Sequence, residues 1–112
     1  MGPLIRQEHR ARVASYLDIA SQEGATVALD GRRDFDTDAF LIGPCVIDRV
    51  EPDMRVAQEE IFGPVLPVIE YDSLKDIIEI TSKLPRHPLA CYIFSENKTI
   101  QNELIHRLQF GG

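Results

Sequence analysis

The eight residues from Gln58 to Val65 constrain the possible folds of this chain more than any other stretch. In them, two glutamates and an Ile-Phe pair are followed directly by a Gly-Pro dipeptide. Glycine permits backbone angles that are closed to other residues, and proline fixes its own φ and disfavours helix in the residue before it. The pattern predicts a stiff turn that holds Glu60 and Phe62 in a fixed relation. A carboxylate accepts hydrogen bonds from ribose hydroxyls, and an aromatic ring suits a flat heterocycle.

Composition and charge exclude several classes of protein. The 112 residues suffice for one small domain, and 44% hydrophobic and 27% charged residues are ordinary for a globular chain. The net charge of -6 argues against nucleic-acid binding and against attraction to an anionic membrane. No apolar run approaches the roughly 20 residues that span a bilayer, and the N-terminus is too polar for a secretory signal. Two cysteines without metal-site spacing favour a reducing compartment, so we expect a cytoplasmic protein without a metal site.

Hydrophobic periodicity predicts an α/β fold. A first helix is predicted over residues 7–23, with Val13, Tyr16, Leu17 and Ala20 as its buried stripe and Gly24 as its cap. Strands are predicted over residues 25–29, 40–50, 65–70 and 89–94. Further helices begin at Ser73, with Leu74, Ile77, Ile78 and Leu84 as the buried face, and at Asn97 or Thr99. This order favours a partial parallel, Rossmann-like sheet with flanking helices.

Several spaced motifs resemble one family. The stretch from Glu59 to Val65 resembles the cofactor-contacting motif of the NAD(P)-dependent aldehyde dehydrogenase superfamily. The segments that resemble other family motifs, in the same order, are Gly2-Pro3-Leu4-Ile5 with Arg10 to Val13, Glu23-Gly24-Ala25, and Pro52-Asp53-Met54. The resemblance covers nearly the whole chain and implies that residues 1–112 are a single segment, a C-terminal part of the catalytic domain. It implies oxidation of an aldehyde to a carboxylic acid with NAD or NADP. Residues 63–68 and 88–95 resemble the class that oxidises aliphatic and aromatic aldehydes.

The resemblance also implies roles for individual residues. Glu60 matches the glutamate that holds the nicotinamide-side ribose, and Phe62 matches the phenylalanine beside the nicotinamide ring. His9 and Arg12 lie three apart on one helical face, and they match residues that reach the adenosine ribose. The alternatives are a solvated acid at Glu60, a core aromatic at Phe62 and a solvated helix start at His9 and Arg12. Glu59 receives no role and is expected to be structural or exposed.

Neither cysteine fits the nucleophile that the family's reaction needs. Cys45 follows a proline in an extended segment, and Cys91 lies within the apolar run 89–93, where a thiol behaves as a small apolar group. We therefore expect both to be structural and the chain to hold no catalytic residue. The resemblance places the catalytic cysteine, the general-base glutamate and the Gly-rich dinucleotide fold upstream of Met1. The isolated chain is accordingly expected to be inactive and to bind NAD at millimolar concentrations or not at all.

The remaining candidates have simpler explanations. Residues 34–38 imitate the start of a calcium loop, but Ala39 and Cys45 stand where such a loop needs glycine and glutamate, so an exposed acidic turn is expected. His87 and His106 have no evident partner. In the family, the equivalent of Gly111-Gly112 leads into another strand, so we expect an excised or truncated piece with an unpaired sheet edge. The alternative function is a stand-alone, non-catalytic αβ module that self-associates or binds a partner through that edge.

Overall fold

The computed structural model describes residues 7–32, 42–85 and 90–108 and divides into two compact units, Met1–Glu70 and Tyr71–Gly112. The elements of the first unit are helix α1 (Gln7–Gln22), strands β1 (Thr26–Leu29) and β2 (Cys45–Asp48), helix α2 (Arg55–Gln58) and strand β3 (Val65–Pro67). The second unit contains helices α3 (Leu74–Lys83) and α4 (Lys98–Arg107). No helix in the described ranges is long and apolar enough to cross a membrane.

Helix α1 confirms the prediction from its apolar stripe, and its end is a Schellman motif. The amide of Gly24 donates to the carbonyl of Ser21 at 3.2 Å, and the amide of Ala25 donates to that of Ala20 at 2.9 Å. Gly24 has a φ of +105°, a conformation that costs little only for glycine. The chain therefore leaves α1 at a sharp angle and enters β1 immediately.

The three strands form one sheet in the order β1-β2-β3, which confirms the α/β class, and the expected parallel arrangement is present in one of the two strand pairs. Strands β2 and β3 are parallel, with Cys45 opposite Val65, whereas β1 and β2 are antiparallel, with Thr26 opposite Asp48. An antiparallel neighbour needs no crossover helix, so β1 can return directly into β2. The sheet is therefore mixed.

Gly31 and Gly43, which lie between β1 and β2 in the chain, pack closely against each other. The amide of Gly43 donates to the carbonyl oxygen of Gly31 at 2.9 Å. A Cβ atom on Gly31 would lie 2.3 Å from the carbonyl carbon of Gly43, so no larger residue fits there. The sequence predicts a turn at Asp30-Gly31, whereas the structure has a turn at Arg32, and backbone packing keeps position 31 a glycine.

The core of the first unit lies between α1, the sheet and α2. Its buried residues are Val13, Leu17, Ala20, Ile42, Cys45, Ile47, Val50, Met54 and Val56. Helix α2 was not predicted, because four residues are too few to show a helical period.

In the second unit, the capping box at the start of α3 confirms the prediction. The Ser73 hydroxyl accepts from the amide of Asp76 at 3.3 Å, and the Asp76 carboxylate accepts from the amide of Ser73 at 3.1 Å. Helix α4 begins after Asn97, whose side chain accepts from the amides of Thr99 and Ile100. The predicted buried face of α3, formed by Leu74, Ile77, Ile78 and Leu84, is only half-buried.

The predicted strand at residues 89–94 is not present in the described part of this stretch. Residues 90–95 form neither helix nor strand, and Tyr92 and Phe94 are 80% and 95% exposed. A strand takes its hydrogen bonds from a neighbour, and among the described residues the sheet contains β1 to β3 alone. An apolar run of strand length is therefore not sufficient to form a strand here.

Candidate functional site

Residues 59–63, which belong to the stretch predicted to contact the cofactor, lie against one face of α1. His9, Val13 and Tyr16 are spaced i, i+4, i+7 and so lie on the same side of the helix. The Nε2 atom of His9 lies 2.7 Å from the carbonyl oxygen of Phe62. The Tyr16 hydroxyl donates to Glu59 Oε1 at 3.0 Å. Residues 59–63 therefore run along α1 and are attached at both ends.

The distance along α1 from His9 to Tyr16 matches the length of the segment from Glu59 to Phe62. The seven residues from His9 to Tyr16 rise about 10 Å along a helix axis. The three residues from Glu59 to Phe62 cover about 10 Å when extended. Glu59 is extended, with φ -105° and ψ 144°. An extended chain thus fits between the two attachment points.

Side chains of the segment alternate between inward and outward positions. Glu59 turns towards Tyr16, and Ile61 packs against the core. Glu60 is exposed, and Phe62 is 66% exposed. Since successive side chains of an extended chain point to opposite sides, Glu60 and Phe62 share the outward side, about 7 Å apart along the backbone. This is the fixed relation of carboxylate and ring that the sequence predicts.

The bend at Gly63 is confirmed, but its physical reason differs from the expected one. Residues 59–64 form neither helix nor strand, and both Gly63 and Pro64 are bends. Among the described glycines only Gly24 has a positive φ, so Gly63 is not required for its backbone angles. A Cβ atom on Gly63 would lie 2.7 Å from Cγ1 of Val13, which is fully buried. Glycine is required because the chain passes directly over α1.

Glu59, which the sequence left without a role, is held by residues of two helices. Arg55 donates to its carboxylate through Nε at 2.5 Å and through a terminal nitrogen at 3.1 Å. Tyr16 donates at 3.0 Å and accepts from Arg12 at 3.0 Å. The hydrogen bond from Arg55 lowers the pKa of Glu59 below its ordinary value. Burial raises the pKa of the Tyr16 phenol, and its bond to Glu59 raises it further.

Two sequence signals indicate, separately, that Arg55 and Tyr16 need hydrogen-bond partners. Arg55 and Glu59 are four apart, the spacing of an ion pair on a helix. Tyr16 belongs to the buried stripe of α1, and a buried phenol needs a hydrogen-bond partner. Neither signal states that these two pairs meet, because α1 and α2 are distant in the chain.

His9 and Arg12 share a face of α1, as predicted, and each has a contact within the chain. His9 bonds to the Phe62 carbonyl, and Arg12 stacks on the Tyr16 ring with its guanidinium carbon 5.3 Å from the centroid. Their contact with an adenosine ribose stays a prediction, as do the cofactor contacts of Glu60 and Phe62.

Both cysteines and His106 lie among the described residues, and Cys45 lies next to the end of the segment in the sheet, where its amide donates to the carbonyl of Pro64 at 2.7 Å. Cys45 is 1% exposed in β2, and its thiol donates to the Gly43 carbonyl at 3.3 Å. Cys91 is half-buried in the irregular stretch 90–95. His106 Nδ1 lies 2.6 Å from the carbonyl oxygen of Asn102, one turn earlier in α4. The acidic run 34–38 and His87 lie outside the described residues. Within the described ranges no His, Cys, Asp and Glu side chains are grouped as metal ligands.

Comparison with known proteins decides the family. The sequence model of the aldehyde dehydrogenase family matches residues 1–112. The chain belongs to this family. The resemblance in the Glu59–Val65 motif is thereby confirmed at the level of the family.

The curated relatives of this aldehyde dehydrogenase chain are much longer. Malonate-semialdehyde dehydrogenase from Bacillus subtilis (strain 168) is 37% identical over 101 residues, which are 90% of this chain and 21% of that protein. Malonate-semialdehyde dehydrogenase 2 from Geobacillus kaustophilus (strain HTA426) is 38% identical over 93 residues, which are 81% of this chain and 19% of that protein. The chain thus spans about a fifth of the length of these relatives.

Solved structures of the family have the same fold over this segment. Betaine aldehyde dehydrogenase from Staphylococcus aureus, in complex with NAD+, matches with a TM-score of 0.88 and 34% identity over 99% of this chain and 22% of that chain. Methylmalonate-semialdehyde dehydrogenase from Oceanimonas doudoroffii matches with a TM-score of 0.86 and 32% identity over 96% and 22%. Related proteins in the family therefore bind NAD+ in solved structures.

Proposed function

We propose that this chain is the C-terminal part of the catalytic domain of an NAD(P)-dependent aldehyde dehydrogenase. In it, Glu60 would hold the nicotinamide-side ribose, and Phe62 would lie beside the nicotinamide ring. The observation that supports this most is the shared outward side of Glu60 and Phe62 on a segment attached to α1. A ligand with hydroxyl groups next to a flat ring fits that arrangement.

The residues present fit the cofactor chemically. The exposed carboxylate of Glu60 can accept hydrogen bonds from two vicinal hydroxyls, which is how carboxylates bind sugars. The 66% exposed ring of Phe62 offers an apolar surface to a heterocycle. NAD or NADP, when bound, would take a hydride from the aldehyde substrate. Within this chain, Glu60 and Phe62 would hold and orient the ring that receives it.

The contributions of His9 and Arg12 are secondary in this proposal. Both lie on the first turns of α1, next to the attached segment. Arg12 is exposed and cationic, and it could reach a ribose or a neighbouring phosphate while its guanidinium stacks on Tyr16. His9 would act mainly through Phe62, whose carbonyl it contacts at 2.7 Å.

A chimaera tests the proposal. The matching segment of the Staphylococcus aureus betaine aldehyde dehydrogenase, which binds NAD+, is replaced by this chain. NADH formation is then measured against NAD+ concentration. Glu60→Gln should raise KM for NAD+ roughly 10- to 100-fold, since a hydrogen bond to a charged group contributes about 1.5–3 kcal/mol. Glu70→Gln is the matched control, because Glu70 is also exposed but lies beyond β3. An unchanged KM in Glu60→Gln would contradict the proposed role.

Self-association is a second candidate function. In the second unit it is supported by Tyr92 and Phe94, which are two residues apart and more than three-quarters exposed. In the first unit it is supported by Leu66 in β3, the outermost strand of the described sheet, which is 60% exposed. A second copy of the chain could cover either of these two sets of apolar side chains. Sedimentation velocity over a hundredfold range of concentration tests it. Tyr92→Ser with Phe94→Ser should reduce any dimer, and a chain that is monomeric throughout would contradict it.

We also propose that the protein functions in the cytoplasm. The support is that both cysteines are free thiols, as in a reducing compartment. Fractionation of the native cells with an antibody against this chain would test the location.

A further inference from the structure

We propose that Glu59 is a positioning residue of the cofactor site, which fixes Glu60 by attaching the backbone before it to α1. This inference rests on the proposed function of Glu60. Glu59 would not touch the cofactor. Its carboxylate would instead keep the neighbouring residue extended and facing outward.

The geometry carries this inference in two steps. The first is that Glu60 lies between two attachment points, Tyr16–Glu59 at 3.0 Å and His9–Phe62 at 2.7 Å. A residue fixed on both sides has already lost most of its backbone freedom before a ligand binds. If either hydrogen bond were removed, the cofactor would have to order Glu60 on binding, and its affinity would fall.

The second observation is that Glu59 is held by a buried group and not only by a surface ion pair. Tyr16 is 2% exposed, and its hydroxyl accepts a hydrogen bond from Arg12 and donates one to Glu59. Arg55 also stacks on the Tyr16 ring, with its guanidinium carbon 5.9 Å from the centroid. An exposed Arg55–Glu59 pair alone would contribute little. A buried phenol fixes the carboxylate at one place on α1.

Three variants separate a positioning role from a simple contribution to stability. Glu59→Ala removes the carboxylate and with it the hydrogen bonds from Arg55 and Tyr16. Glu59→Gln keeps an oxygen that can accept from Tyr16 and should therefore have a much smaller effect than Glu59→Ala. Tyr16→Phe keeps the ring and removes only the hydroxyl. Tyr71→Phe is the matched control, because Tyr71 is 58% exposed and lies in the second unit.

Two measurements are made on these variants. In the 112-residue chain, the backbone order parameter of the Glu60 amide is measured by NMR relaxation; it should fall from about 0.85 towards 0.6 in Glu59→Ala and Tyr16→Phe. In the chimaera described above, KM for NAD+ should rise about 3- to 10-fold in the same two variants, with a smaller change in kcat. Tyr71→Phe should change neither quantity.

The outcomes distinguish the two proposals. If Glu60→Gln raises KM for NAD+ while Glu59→Ala and Tyr16→Phe leave both KM and order unchanged, the positioning role is overturned and the proposed function stands. If Glu59→Ala and Tyr16→Phe disorder Glu60 but Glu60→Gln leaves KM unchanged, Glu59 fixes Glu60 and the proposed function is wrong. If the chimaera does not fold, the order parameter alone decides: unchanged order at Glu60 overturns the inference.

Discussion

The imidazole of His9 lies 2.7 Å from the carbonyl oxygen of Phe62, so the first turn of α1 contacts the bend that precedes β3. Fifty-three positions separate these two residues in the chain. Their contact fixes the backbone of Phe62 relative to the helix and leaves its phenyl ring 66% exposed. The same helix face holds Glu59 through Tyr16, so Glu60 lies between two attached residues.

Loss of this contact should weaken the first unit. We predict that His9→Ala lowers the free energy of unfolding by about 0.5–1.5 kcal/mol, the usual net contribution of one hydrogen bond. Urea unfolding followed by the NMR signals of α1 and β2 measures it. His106→Ala is the matched control, since His106 bonds to a carbonyl within α4 of the second unit. Equal effects of the two variants on α1 signals would contradict the prediction.

Gly63 should not tolerate a methyl group. Because a Cβ atom would lie 2.7 Å from Cγ1 of the buried, β-branched Val13, Gly63→Ala should destabilise the first unit by about 1–3 kcal/mol. The cost should shrink in a Val13→Ala background, where the clashing methyl groups are gone. A double-mutant cycle in urea measures the coupling between the two positions. Additive effects would show that the close approach over α1 is not the cause.

The free energy of unfolding should depend on pH through Glu59 in the acidic range and through Tyr16 in the alkaline range. The pKa of Glu59 lies below its ordinary value of 4.5, so its contribution is complete above that pH and is lost as the pH falls through the lowered value. The pKa of Tyr16 lies above its ordinary value of 10.0, so its contribution is complete below that pH and is lost as the pH rises through the raised value.

Unfolding free energies between pH 2 and pH 12 would measure both dependences, at roughly constant ionic strength to limit screening. Glu59→Gln should flatten the acidic side, and Tyr16→Phe should flatten the alkaline side. Glu70→Gln and Tyr71→Phe, which alter exposed groups of the same types, serve as controls. A parent-like acid profile in Glu59→Gln would show that Arg55 and Tyr16 do not stabilise that carboxylate.

The isolated chain should not oxidise aldehydes. Cys45 is 1% exposed within the core of the first unit, and Cys91 is half-buried in the irregular stretch 90–95, so we expect neither thiol to act as the nucleophile. NADH absorbance in the presence of betaine aldehyde and NAD+ measures the rate. NADH production that Cys45→Ala or Cys91→Ala abolishes would show that a cysteine of this chain is a nucleophile.

Local signals in the sequence predicted much of the fold. The apolar stripe of α1, its end at Gly24 and the capping box of Ser73 with Asp76 each depend on residues within a few positions, and each is confirmed. The bend at Gly63-Pro64 is confirmed for the same reason.

Features that depend on distant partners were predicted less well. The direction of β1 relative to β2 follows from pairing across residues 30–44, and the sequence period of a strand is the same in either direction. The stretch 90–95 has a strand's composition without a partner among the described strands. The hydrogen bond from Tyr16 to Glu59 joins residues 43 positions apart, so no local pattern could predict that they meet.

The most direct test is a crystal structure of the chimaera with NAD+. We predict that a Glu60 carboxylate oxygen lies roughly 2.5–3.0 Å from a hydroxyl of the nicotinamide-side ribose, with the Phe62 ring against the nicotinamide. We also predict that the Tyr16–Glu59 and His9–Phe62 contacts persist. A bound cofactor whose ribose hydroxyls are held by other groups, with Glu60 directed into solvent, would contradict the proposed function.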